Sequence, residues 1–239
     1  MRPRMRLLVI GPHFPPDLAP TGEVLGGIVA GMTDAGHQVD VVTSLPWYLR
    51  NRVEPEWSGR PVRTEVTGWG RITRLHPFPT DKRNVPARAL AFGAFTFEAS
   101  MAAMRGPRPD GVLSMSPPLT LGEAGWMAAR RWRAPFVFNV QDVFPDVAIA
   151  VGSLTDERLI GFARRLERRI YRRADAVTVL SEDLAENVRA KLDHRTGRAD
   201  TVVEVIPNFV DCDAIRPGPR QNAYRSENEL GDRIVVMYA

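Results

Sequence analysis

Residues 136–152 read FVFNVQDVFPDVAIAVG. The stretch opens on an apolar run, Phe136-Val137-Phe138, broken only by Asn139 and resumed at Val140. An amide and two carboxylates, Gln141, Asp142 and Asp146, stand just past its end. A short buried run that stops abruptly at polar side chains is the way a parallel strand ends in an open α/β sheet. Such sheets bind ligands outside the carboxyl ends of their strands. The fold and the candidate site both hang on this reading.

Working outward, strand and helix patterns alternate in both directions. Leu7–Ile10 reads as a buried strand, followed by a Pro-rich loop from Gly11 to Pro20. Thr21 is expected to cap a helix running to Ala35, with Val24, Leu25, Ile28, Val29 and Met32 on one face and Gly36 ending it. A second strand follows at Val39–Thr43. This βαβ unit implies a right-handed crossover and a parallel sheet. Val62–Val66 and Arg71–Leu75 read as short strands around Gly68-Trp69-Gly70. Beyond them come an apolar helix at Val85–Met104, a strand at Gly111–Met115, a helix at Leu119–Arg133 and the quoted strand. A basic helix at Glu157–Arg173, a strand at Ala176–Leu180, a helix begun by Ser181 and a strand at Val202–Ile206 complete the series. The fold class is therefore α/β, a doubly wound, mostly parallel sheet. Residues 1–210 are expected to form this domain, with a polar linker over 211–232. Residues 233–239 read as the first strand of a second domain that the chain begins and does not finish.

Composition narrows the function classes. With 239 residues, 44% of them hydrophobic, the chain can bury a sizeable core. A single cysteine, Cys212, allows no internal disulfide and suits a reducing compartment. The basic N-terminus carries an apolar run of only Leu7–Ile10, too short for a signal peptide, and no stretch has the length of a membrane span. The net charge of +4 comes with 30 Arg and 2 Lys. That lopsided ratio, with no recognition motif beside it, reads as coding bias, and no nucleic-acid partner is expected.

The first βα loop holds Gly22, Gly26 and Gly27 but lacks the G-x-G-x-x-G spacing of a dinucleotide site. Neither a P-loop nor a nucleophile-elbow serine is present, and no zinc-binding spacing of Cys and His occurs. Asp211-Cys212-Asp213 has the D-x-D form of some metal-dependent sugar transferases, but it falls in the expected linker, and no metal site is assigned. An epimerase or dehydrogenase would need the glycine fingerprint and usually a Y-x-x-x-K pair, and the chain has neither.

Several short motifs together carry a family resemblance. They are Pro15-Pro16-Asp17 with Thr21-Gly22-Glu23, then Ala35-Gly36-His37-Gln38-Val39, and Thr43 to Tyr48 (TSLPWY). Ser116-Pro117-Pro118-Leu119, Gln141 to Asp146 (QDVFPD), Thr178-Val179-Leu180-Ser181 and Ile206 to Asp211 (IPNFVD) follow in register. Across nearly its whole length the chain resembles the N-terminal half of a retaining GT-B glycosyltransferase of family four, in the colanic-acid or O-antigen fucosyltransferase-like branch. The resemblance implies two Rossmann-like domains facing across a cleft, with the acceptor on this half. The partner half would hold most of the nucleotide-sugar and supply the E-x7-E glutamates, which this sequence lacks. It would be supplied in cis or in trans, and this chain alone is expected to be inactive.

On that reading the site residues take definite roles. Asp142 would accept a hydrogen bond from the acceptor hydroxyl or assist its deprotonation. Gln141 stands where the family commonly has His, and an amide orients a hydroxyl but takes no proton at neutral pH. Gly22, at the start of the first helix, would offer a backbone N–H and the helix dipole to the donor phosphate. Glu23, His13 and Asp146 are acceptor-binding candidates. Each has a plainer alternative: a solvated first-turn acid, a structural loop histidine and a helix-capping carboxylate. No cofactor or metal is expected beyond the nucleotide-sugar substrate.

The resemblance further implies a polyprenyl-linked saccharide acceptor and a cytoplasmic chain at the inner face of the plasma membrane. The Val85–Met104 helix, with Phe and Met beside Arg83 and Arg88, and the basic Glu157–Arg173 helix are the candidate docking faces, or else ordinary core and solvated helices. A rival reading from another class is a non-catalytic domain that binds an acceptor or partner and works with a separate C-terminal half.

Overall fold

The computed structural model describes residues 3–81, 84–192, 201–213 and 215–236. Arg83, one of the candidate headgroup contacts, lies outside them, as do residues 237–239 of the expected last strand. The chain falls into two compact units, Met1–Asn208 and Phe209–Ala239.

The first unit is built on an eight-stranded sheet in the order β3-β4-β2-β1-β5-β6-β7-β8. The strands are β1 Arg6–Ile10, β2 Gln38–Ser44, β3 Val62–Val66, β4 Gly70–Leu75, β5 Gly111–Ser116, β6 Phe136–Val140, β7 Ala176–Val179 and β8 Val202–Val205. Neighbours pair in parallel, except in the β3–β4 hairpin at one edge. There Gly70 sits at φ 159. A Cβ at Gly70 would strike the Val39 carbonyl, so the hairpin lies close against β2 only because this position is bare. The helices are α1 Pro20–Asp34, α2 Val85–Arg105, α3 Leu121–Trp132, α4 Asp146–Ala150, α5 Glu157–Tyr171 and α6 Glu182–Lys191.

Alternation along the strands sorts the core into two faces. Val9, Val39, Val41, Ile72 and Met115 pack with Leu25 and Val29 of α1. Ile10, Phe136, Phe138, Val140, Val177 and Val179 face the other way, onto Phe95 and Ala99 of α2, Leu121 and Ala124 of α3, Ile170 of α5 and Val188 of α6. Helices on both faces explain why the strands read as near-continuous apolar runs.

The structure moves several expected boundaries. Helix α1 begins at Pro20, with Ala19 in the cap position, so Thr21 lies inside the first turn and does not cap it. Proline suits that first position because its missing N–H would have no helical acceptor there. At the other end Gly36, at φ 87, donates to Thr33 O, and His37 N reaches Met32 O. This closes the helix as its glycine predicts. In α5, Ala163, Glu167, Ile170 and Tyr171 form the buried face, and Leu159 is 52% exposed.

The second unit is polar and exposed. A short helix, α7 Ala223–Glu227, capped by the Asn222 side chain, interrupts the segment read as linker. Ile234–Val236, the described part of the expected last strand, form no strand and are exposed.

Candidate functional site

All the parallel strands deliver their following loops to the same edge of the sheet. Strand order reverses between β1 and β5, since the chain winds outward from β1 to β2 on one side and from β5 to β8 on the other. Loops leaving β1, β2, β5 and β6 therefore flank a topological switch point, where open α/β sheets accommodate ligands.

The β1 loop is the best-defined part of this edge. His13 Nδ1 lies 2.6 Å from Asp17 Oδ2, and both side chains are buried. The other Asp17 oxygen accepts from Tyr48 N at 3.0 Å and Trp47 N at 3.3 Å, tying the β1 loop to the β2 loop. The His13 ring stacks on Trp47 at 5.5 Å and meets Tyr48 edge-on at 5.2 Å. A carboxylate oxygen accepts, so His13 Nδ1–H is the donor in this pair. Beneath the loop, the buried Arg74 of β4 donates to Pro15 O at 2.6 Å, to Phe14 O at 3.4 Å and to Glu65 at 2.5 Å, with its guanidinium 4.9 Å from the Trp57 ring.

Gly22 corrects one expectation. Its N–H donates to Ala19 O at 2.8 Å, so that group is already engaged and is not a free phosphate ligand. The glycine sits closely packed here. An added Cβ would lie 3.1 Å from His13 Cβ and 3.3 Å from both Asp17 O and Phe14 N. Gly22 and His13 are thus in contact, whereas the next residue, Glu23, points into solvent.

At the end of β6, Gln141 is buried within a run of side-chain amides. Its Nε2 donates to Asn139 Oδ1 at 2.7 Å, and Asn139 Nδ2 donates to Thr178 Oγ1 at 2.8 Å. Its Oε1 accepts from Asn208 Nδ2 at 2.9 Å. Asp142, the next residue, is exposed, and among the described residues no hydrogen bond to its carboxylate is found. Gln141 and Asp142 therefore differ sharply: one is held on two sides, the other faces water.

Asp146 is drawn elsewhere. It lies in the first turn of α4, and its Oδ2 accepts from Lys191 Nζ at 2.7 Å and Asn187 Nδ2 at 3.1 Å, both on α6. The same Nζ reaches the fully buried Glu167 at 2.7 Å, which in turn accepts from the Tyr171 hydroxyl at 3.1 Å. Burial pushes the Glu167 carboxyl upward, and Lys191 and Tyr171 only partly offset this. Burial also acts on Asp146, but the hydrogen bonds from Lys191 and Asn187 and the Lys191 charge outweigh it, leaving its carboxyl below the usual range. Burial, reinforced by Glu167, holds the Tyr171 hydroxyl far above its ordinary value. Asp146 thus anchors the loop that follows Gln141 and Asp142, and its carboxylate is held by α6.

Among the described residues no group of three His, Cys, Asp or Glu gathers to hold a metal ion. A groove of about 540 Å³ opens between α2 and the β2–β4 side of the sheet, lined by Asp40, Thr73, Glu98, Met101 and Arg105 among others. It contains none of the candidate residues, so the chemistry at the strand ends carries more weight here than groove size.

Sequence reading did not assign Asp17, Trp47, Arg74, Asn208 or the Lys191–Glu167 pair. Asp17, Trp47 and Asn208 lie within the quoted motifs. Arg74 and Glu167 had no local signal, since nothing in a strand or an Arg-rich helix marks a charged residue as buried.

Residues 21–208, most of the chain, match the family described as Glycosyl transferase 4-like domain. The chain belongs to this family. A putative colanic acid biosynthesis glycosyl transferase from Escherichia coli (strain K12), WcaI, is 24% identical over 243 residues, which cover 98% of this chain and 58% of that protein. A D-inositol 3-phosphate glycosyltransferase of Geodermatophilus obscurus is 28% identical over 121 residues, 49% of this chain and 25% of that protein. Among solved structures, sucrose-phosphate synthase from Thermosynechococcus elongatus superposes with a TM-score of 0.64 at 15% identity, over 95% of this chain and 52% of its own. Anabaena HepE, solved in complex with UDP and glucose, gives a TM-score of 0.56 at 14% identity, over 96% of this chain and 51% of its own. The chain thus spans little more than half the length of these neighbours. Its fold is that of half of a GT-B glycosyltransferase, and a glycosyltransferase domain is what the family assigns to it. Among the described residues no helix is long and apolar enough to cross a membrane.

Proposed function

We propose that this chain is the acceptor-side half of a retaining glycosyltransferase. It would transfer a sugar from a nucleotide-sugar to a polyprenyl-linked saccharide in cell-surface polysaccharide synthesis. The observation that carries this reading is the presence, at one edge of the sheet, of a buried His13–Asp17 pair stacked on the half-buried Trp47 and of an exposed carboxylate, Asp142, beside a held amide, Gln141. The colanic-acid relative supports the polysaccharide context, and the UDP and glucose bound to HepE support a nucleotide-sugar donor.

Glycosyl transfer needs an acceptor hydroxyl held in line and a base or hydrogen-bond acceptor for its proton. Asp142 takes that role, and Gln141 orients the sugar through its amide. His13, held by Asp17 in the β1 loop at the same edge of the sheet, is a further acceptor contact, and Glu23, in solvent at the start of α1, is available to an outer hydroxyl. The leaving diphosphate is stabilised by the positive end of α1, acting through its dipole and not through the Gly22 N–H. No metal enters this scheme. The donor-side half, in cis or in trans, supplies the remaining nucleotide-sugar contacts, and the chain by itself is inactive. It works in the cytoplasm, peripheral to the inner face of the plasma membrane, where the exposed Phe162 and Leu159 of α5, flanked by Arg158, Arg165 and Arg172, meet anionic lipid.

The decisive assay supplies a panel of nucleotide-sugars and polyprenyl-diphosphate saccharides to the chain alone and to a longer form carrying a donor-side half. Transfer by the longer form alone, with the anomeric configuration kept, is the expected result. Acceptor binding by the chain, without transfer by either form, would favour the non-catalytic binding domain instead.

A further inference from the structure

Asn208 is the last residue of the first unit, and it is exposed. Its Nδ2 donates to Oε1 of Gln141, which is only 8% exposed, and from there the hydrogen bonds run inward through Asn139 to Thr178. Every link points the same way: Asn208 donates to Gln141, Gln141 to Asn139, and Asn139 to Thr178. Each amide has one donating and one accepting end, so no member can turn over unless its neighbours turn too. Hydrogen bonds in such a chain polarise and strengthen one another. Gln141 has two Nε2 protons, and Asn139 takes only one of them.

We propose that Asn208 is a positioning residue: it fixes the Gln141 side-chain amide so that the second Nε2–H is a directed donor to an oxygen of the bound acceptor sugar. The proposal rests on the acceptor-side reading above. It explains how a flexible glutamine serves where orientation matters. The loss of freedom is borne by the folded relay, so the ligand need not order the side chain on binding. It also gives the Pro207-Asn208 motif a task that its place at the end of the last strand does not by itself reveal.

The test is side-chain amide NMR on this chain with Asn and Gln labelled by ¹⁵N, with methyl α-glycosides of glucose, galactose and mannose as probes. In the native chain the Gln141 amide pair is expected to exchange slowly with solvent. N208A removes the donor, and exchange should quicken by about five- to tenfold, the effect of one hydrogen bond of ordinary net strength. N208D keeps the shape but can only accept, so it forces the relay to reverse. The Asn139 amide pair should then shift although Asn139 does not touch residue 208, a signature that a purely local or stabilising role would not give. Unchanged Gln141 and Asn139 signals in both variants would overturn the proposal. The sugar probes separate the two claims. A shift of the Gln141 pair that weakens about tenfold in N208D supports directed donation, the tenfold being a loss of about one hydrogen bond. An intact relay that no sugar perturbs overturns the donor role together with the acceptor-side reading of Gln141, whereas a sugar response that N208D leaves unaltered overturns the positioning role alone.

Discussion

Asp17 holds His13 at 2.6 Å through one carboxylate oxygen and the backbone of the following strand's loop through the other. One buried side chain thus sets both the histidine tautomer and the distance between two loops. Asp17→Asn keeps the shape but removes the charge, and its amide end has only donors to offer on one side. A destabilisation of about 1–3 kcal/mol is expected, the range for hydrogen bonds to a buried charged group. Urea unfolding measures it. A midpoint equal to that of the native chain would show that the pair contributes nothing to holding the loops.

Arg74 makes the same loop rigid from below. Its guanidinium meets two carbonyls, Phe14 O and Pro15 O, and the Glu65 carboxylate. Arg74→Met fills the volume but leaves those carbonyls without donors, and about 2–4 kcal/mol should be lost. Arg74→Lys keeps the charge and still loses most of this, because an ammonium lacks the planar fork that reaches several acceptors at once. If the lysine variant were as stable as the native chain, charge alone would explain Arg74.

Gly22 tests the packing account of the α1 start. Alanine in a helix is favoured over glycine by about 1 kcal/mol. Here its methyl would press on His13 Cβ, Phe14 N and Asp17 O, two of them backbone atoms that cannot swing away. The net effect of Gly22→Ala is expected to be destabilising by about 1 kcal/mol, since overpacking typically exceeds the propensity gain. It should also change the fluorescence of Trp47, which stacks on His13. A stabilised protein with unaltered fluorescence would return Gly22 to the role of an ordinary helix residue.

The strands were legible in the sequence because parallel strands buried on both faces read as apolar runs, and β6 ends at Val140 where Gln141 begins. The polar residues after β6 were legible as a group, but their division of labour was not. Nothing local distinguishes Asp142 in water from Asp146 held by Lys191, because the distinguishing partner lies 45 residues away on α6. The close packing of Gly22 was not legible for a similar reason. A glycine at a helix start suggests an open N–H, and only the packed loop shows that its missing side chain is what matters. The hairpin β3–β4 was found from its turn, whereas its parallel pairing to β2 needed the fold.

Membrane docking makes a prediction distinct from transfer. Helix α2 buries Ala91, Phe95, Ala99 and Ala103 in the core, so it is a covering helix, though Leu90 and Phe97 remain exposed. Helix α5 presents Phe162 at 65% exposure among exposed arginines. Co-sedimentation with vesicles containing anionic lipid is expected at low salt and should fall at high salt, where screening shortens the reach of the arginines. Phe162→Ser should weaken it at both. Equal binding to neutral and anionic vesicles would point away from α5 and toward the apolar residues of α2.

Lys191 gives the prediction with a definite pH sign. Glu167 has a folded-state pKa raised above its unfolded value, chiefly by burial, so its contribution is present at low pH and is lost as pH rises through the folded value. Asp146 is depressed by Lys191 and Asn187 against the opposing effect of burial, so its contribution is present at neutral pH and is lost as pH falls through its folded value. Lys191→Met removes the cation from both. The Glu167 carboxyl then moves further up, and Asp146 loses much of what held it down. Both changes weaken the folded state at neutral pH and matter little once the carboxyls are protonated. The loss should therefore be about 3–5 kcal/mol near neutrality, the range for a buried ion pair deprived of one partner. The share due to Glu167 should shrink as pH falls toward that carboxyl's raised folded value, above the ordinary carboxylate range, and the share due to Asp146 only as pH falls below that range. Adding Glu167→Gln to the lysine variant removes the buried acid and should recover much of the neutral-pH loss and flatten its pH dependence. Chemical denaturation at several pH values measures both variants. A loss from Lys191→Met that is the same at every pH would mean that the lysine acts through its aliphatic stem and not through its charge.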